Sequence, residues 1–88
     1  MILLITYYLK KPGQDYTSLH NTIKSADSWW HYLESTWLIK TDQGPSFWTD
    51  RIKRVIDPND YLFIVDITGK SYNGWLPQKA WDWIKQNQ

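Results

Sequence analysis

The chain holds few groups fit for covalent chemistry and many fit for stacking. It has no cysteine, so no thiolate nucleophile, cysteine-based metal site or disulfide is available. Its two histidines, His20 and His31, are too few for a histidine metal site. An imidazole at His31 suits a general base near neutral pH. No serine, cysteine or carboxylate partner is evident beside it, so His31 reads as part of a binding surface. The nine acids are Asp15, Asp27, Glu34, Asp42, Asp50, Asp57, Asp60, Asp66 and Asp82. Most fall at helix caps and turns, where aspartate bonds its own backbone. Asp66 lies inside an apolar strand and is read as structural, facing solvent or a basic partner.

The basic residues form small groups: Lys10-Lys11, then Arg51, Lys53 and Arg54, then Lys70. Each can contact phosphate, although a basic stripe on an amphipathic helix is commonly its solvated face. Lys10 and Lys11 sit at the mouth of a helix whose first amides can also hold an anion. The formal net charge is only +1. A protein that coats long duplexes carries a clear basic excess, so balance favours a small ligand with few phosphates.

Seven tryptophans are more than a thin core needs. Trp37 and Trp48 sit in apolar patterns and are expected inside. Trp29 and Trp30 are adjacent in a strand and must point to opposite faces. Trp81 and Trp83 are about 200° apart on a helix, so one should pack inward and the other away. Trp75 lies in a Gly-Trp-Leu-Pro loop. Indole faces stack on nucleobases and also serve as anchors in protein interfaces. The candidate ligand-binding residues are therefore Tyr8, Lys10, Lys11, Trp30, His31, Arg51, Arg54, Trp75 and Trp83, with no catalytic or metal-ligating residue and no cofactor.

The elements that must position these residues follow from pattern. Met1–Leu9 is a continuous apolar run that suits a central strand. It lacks the basic flank and cleavage site of a leader and is too short to span a bilayer. Pro12-Gly13 breaks it. Asp15 can cap a helix whose apolar face is Tyr16, Leu19, Ile23 and Ala26. Residues 29–33 and 36–41 read as two strands around the Glu34-Ser35 turn. Pro45 opens a second helix carrying Trp48, Ile52 and Val55. Residues 61–68 are a fourth strand, and Pro77 begins a short last helix reaching Gln86. The order β-α-β-β-α-β predicts an α+β fold of ferredoxin-like type over residues 1–88: a four-stranded antiparallel sheet, two helices on one face, and a C-terminal helix. The first and third strands should be central.

Three stretches carry a resemblance: ITYYLKKPGQDY at 5–16, WWHYLESTWLIKT at 29–41 and GWLPQKAWDWI at 74–84. They resemble the small bacterial SinR-family proteins, which share their fold with the CRISPR-associated adaptation-complex small subunit. The resemblance implies a ferredoxin-like fold and a tendency to dimerise. The related metal-dependent nucleases end their first strand with Tyr-Asp, and that aspartate holds the metal. Here the pair is Tyr7-Tyr8, and a phenol cannot replace a carboxylate on a hard cation. The expected activity is thus non-catalytic binding of a nucleotide-like ligand, a short or cyclic oligonucleotide or single-stranded nucleic acid, in a cytoplasmic homodimer or higher homo-oligomer without a membrane partner. The alternative is a protein-interaction domain, and a metal-dependent nuclease is third.

Overall fold

Alternation along the first strand divides the molecule into its two faces. The computed structural model describes residues 1–11 and 15–88, so the Pro12-Gly13 break lies outside the described residues. Strand β1 (Ile2–Tyr8) turns Leu3, Ile5 and Tyr7 to one side and Ile2, Leu4, Thr6 and Tyr8 to the other. It pairs antiparallel with β3 (Thr36–Lys40) on one edge and with β4 (Tyr61–Asp66) on the other. Strand β2 (Ser28–Leu33) adds antiparallel to β3. The sheet order is β2-β3-β1-β4, with β1 and β3 central as expected. The two strands joined by each of the first two helices run in the same direction, with a third strand between them. Among the described residues the result is an α+β domain with an open four-stranded antiparallel sheet and three helices, compatible with a ferredoxin-like arrangement.

Helices α1 (Thr17–Ile23) and α2 (Pro45–Ile52) cover the Leu3–Ile5–Tyr7 side. Each turns an i, i+4 pair inward, Leu19 with Ile23 and Trp48 with Ile52. With Trp37 and Ile39 of β3 these residues form the main core. Pro45 stands at the start of α2, where its missing N–H costs nothing. Trp48 donates its indole N–H to Thr41 Oγ1 at 3.0 Å, which lets both polar atoms be buried.

Both helices are shorter than the apolar spacing predicts. Ala26 lies beyond α1 because Ser25 and Ala26 bond back only three residues, to Thr22 and Ile23, and the Asp27 amide already joins Lys40. Val55 lies beyond α2 in a similar turn. Strand β4 stops at Asp66 rather than Thr68. The Asp66 carboxylate accepts the Thr68 amide at 2.9 Å, and Gly69 takes φ +68°, a left-handed position that suits glycine. This gives Asp66 the structural role expected for it.

The last helix, α3 (Gln78–Asn87), lies on the other side of the sheet. Ala80 and Ile84 point inward, against Ile2, Trp30 and Leu38. The expectation that one of Trp81 and Trp83 would pack inward and the other away is therefore corrected. Ala80 and Ile84 hold the inward stripe, and the two indoles flank it, both half-buried. Trp83 donates to Ser28 Oγ at 2.8 Å and so pins α3 to β2. No helix among the described residues is long and apolar enough to cross a membrane.

Candidate functional site

The part of the sheet nearest the Tyr8 end of β1 carries an exposed aromatic row. Register pairs Tyr8 with Tyr61 and Thr6 with Phe63, so these side chains share the face opposite α1 and α2. Tyr8, Tyr61 and Phe63 are each more than three-fifths exposed. The Tyr8 and Tyr61 rings lie 6.5 Å apart, tilted by 51°. Tyr61 and Phe63 are two strand residues, about 6.6 Å, apart. Lys10 places its Nζ 4.2 Å from the Tyr61 ring centroid, within cation–π range.

The row is held from below by Asp60. This carboxylate is only 8% exposed. Its Oδ1 accepts the Lys10 amide at 2.8 Å, and its Oδ2 accepts the Asp57 amide at 2.9 Å and the Tyr16 hydroxyl at 3.0 Å. Burial works to raise its pKa, but the Lys10 and Asp57 amides and then the Tyr16 hydroxyl outweigh this and hold it below the ordinary carboxylate value. One side chain thus ties the end of β1 to the start of β4, where Lys10 and Tyr61 stand.

Of the nine residues singled out in the sequence, only Tyr8 and Lys10 meet on this row. Lys11 is engaged elsewhere, its Nζ 2.7 Å from Asp57 Oδ2. The start of α1 is not a vacant anion site either, because Asp15 accepts the Thr17 amide at 2.9 Å. Trp30 is buried beneath α3 and donates its indole N–H to the Ala80 carbonyl at 3.1 Å. Trp83 lies beside it in the same apolar cluster. Arg51 lies over the Phe47 and Trp48 rings, 5.5 and 5.3 Å from their centroids. Arg54 is exposed just past α2. Both belong to the helix-covered side, away from the aromatic row. Trp75 is fully exposed in the loop before α3.

His31 faces the α1 side, because it is next to Trp30 on an alternating strand. Its ring stacks on Trp37 with centroids 3.6 Å apart and planes at 12°. His20 lies 6.0 Å from His31, and Trp29 lies 5.5 Å from Trp37. Burial pushes the His20 pKa down, and the neighbouring His31 and the Lys24 ammonium push it the same way. An NMR titration should therefore give His20 a midpoint below the ordinary 6.5. Replacing Lys24 by Ala should raise that midpoint; a midpoint above 6.5 would contradict this assignment.

Tyr61 and Phe63 were not legible as site residues from the apolar run YLFIVD alone. The available signal was its alternation: aromatic Tyr61 and Phe63 fall on one parity, aliphatic Leu62 and Ile64 on the other. No cluster of three or more histidine or acidic side chains able to hold a metal ion occurs among the described residues. In sequence, the chain matches no protein-family profile, and no match is found among curated proteins.

Proposed function

We propose that this protein is a non-catalytic binding module for a nucleotide-like ligand, a short or single-stranded nucleic acid whose bases stack on Tyr8, Tyr61 and Phe63. The observation that carries this reading is the row itself: three exposed rings on one sheet face with the Lys10 ammonium beside them. Every base has a π-face, so such a row tolerates sequence, and each stack contributes about 1–3 kcal/mol. Lys10 meets a phosphate. The strand order supports reading the fold as ferredoxin-like, and the three quoted stretches support kinship with the SinR-family proteins. Tyr8, where the related nucleases carry their metal-binding aspartate, adds a stacking ring and supplies no carboxylate. That favours binding over cleavage.

The test is a fluorescence-anisotropy titration with short labelled single strands. Wild type should bind, with log K falling against log salt at a slope of about −0.7 to −1.4, as for one or two phosphates. The Tyr8→Ala/Tyr61→Ala double variant should bind about thirtyfold or more weakly while keeping the wild-type circular dichroism. A wild type that ignores every strand, or a double variant that binds as well, sinks the reading.

A second reading is favoured by one observation. Among the described residues strand β4 pairs only with β1, and Tyr61 to Val65 of this edge carry no charge. Edges are normally blunted by charge or proline, so β4 suits pairing with an extended segment of another protein or a second copy. A Phe63→Lys substitution that abolishes association, in a chain indifferent to nucleic acid, would select this reading.

A further inference from the structure

Between α3, the loop before it and the sheet lies an apolar cavity of about 200 Å³. Its walls include Leu4, Leu33, Leu38, Ile67, Leu76 and Trp81. An apolar cavity of roughly 150 Å³ is known to accept benzene, so this one has room for a ring of that size or somewhat larger. Gly74 and Leu76 both line it. The residue between them, Trp75, does not: it is 100% exposed and its indole is turned to water. A ring-sized apolar cavity and a free indole therefore stand side by side on one surface.

We propose that two copies of this chain exchange Trp75, each inserting its indole into the other's cavity. Donor and acceptor lie on the same patch, so a two-fold axis satisfies both at once and the assembly closes as a dimer instead of growing into a fibre. The chain's own Trp75 is anchored at the cavity rim by its two neighbours, which favours a partner's ring as the occupant. The near-zero net charge offers little repulsion between copies. A tryptophan covers about 150–250 Å². Two indoles and the walls receiving them, half-exposed Leu33 and Tyr72 among those walls, then cover at most roughly 600–1,000 Å². Stable pairs bury about 1,200–2,000 Å² in total. The dimer is accordingly weak and concentration-dependent. Leu4 is four residues, about 13 Å, from Tyr8 along β1, so the exchange lies beside the aromatic row and does not depend on it.

This inference goes beyond both readings above and uses neither the aromatic row nor strand β4. Sedimentation equilibrium over about 5–500 μM should show a reversible monomer–dimer equilibrium for the wild type. Trp75→Ala touches no packed contact and should keep the fold, while raising the dissociation constant at least about tenfold. Leu33→Lys, which places a charge at the cavity rim, should do the same. Mixing these two variants restores one intact exchange, so a mixed dimer should form above the level of either alone. Saturating free indole should dissociate the wild-type dimer. A wild type that stays monomeric throughout, or a Trp75→Ala variant that dimerises as well as wild type, overturns the proposal. A dimer that survives Trp75→Ala and is lost in Phe63→Lys overturns the exchange and leaves the β4 reading standing.

Discussion

Trp37→Ala should leave the chain largely unfolded, or melting some 15–30 °C below wild type, by circular dichroism. Trp37 is fully buried in β3 and belongs to the main core with residues of β1, α1 and α2. Its indole N–H bonds the Tyr7 hydroxyl at 2.9 Å. The stacked His31 ring loses its support as well. Truncating a buried aromatic to alanine costs about 3–5 kcal/mol. A domain of this length has about 4–13 kcal/mol in total, so one substitution removes much of it. Trp37→Phe separates the two contributions. It keeps most of the packing, loses the bond to Tyr7, and should cost clearly less. If Trp37→Ala melts within a few degrees of wild type, the central role given to this side chain is wrong.

Asp60→Asn should destabilise by about 2 kcal/mol at neutral pH, because it replaces a charged acceptor of three hydrogen bonds by an amide with one acceptor oxygen. The pH dependence makes the assignment specific. The folded-state pKa of Asp60 is lowered, so its contribution is fully present above the unfolded carboxylate value and is lost as pH falls through the folded value. Below that, protonated wild type and Asp60→Asn carry the same charge. The stability gap between them should therefore shrink as pH falls from 7 through about 4 toward 2. Urea melts of both proteins across that range measure the gap; a gap unchanged by acid would remove Asp60 as a charged clamp. Since Asp60 fixes the Lys10 backbone, Asp60→Asn should also weaken ligand binding by about two- to tenfold without touching a stacking ring.

Much of the architecture was legible in the sequence because periodicity is a local property. The apolar run at the first strand, the i, i+4 pairs Leu19–Ile23 and Trp48–Ile52, and Pro45 at a helix start each state their element without help from distant residues. Adjacency alone also sent Trp29 and Trp30 to opposite faces. Helix ends were less legible, since they depend on turn bonds such as those of Ser25 and Asp66 that compete with one more helical or strand residue.

The candidate site was legible only in its composition. The sequence announced more aromatic side chains than a core this size uses, a near-neutral charge, and Tyr8 followed by lysines. It could not assign the surplus, because exposure is settled by which element covers which face. Helix α3 covers Trp30 and draws in Trp83, removing two expected contacts from the surface. Strand β4 falls at the edge of the sheet and so leaves Tyr61 and Phe63 in the open beside Tyr8. Arg51 and Arg54 are carried to the opposite side by α2. Sequence by itself determined the kinds of side chain and the elements bearing them, since both follow from local chemistry. Tertiary structure alone decided which rings meet one another and which meet water, because that depends on contacts between residues 50 or more positions apart, such as Trp30 with Ala80 and Lys10 with Asp60.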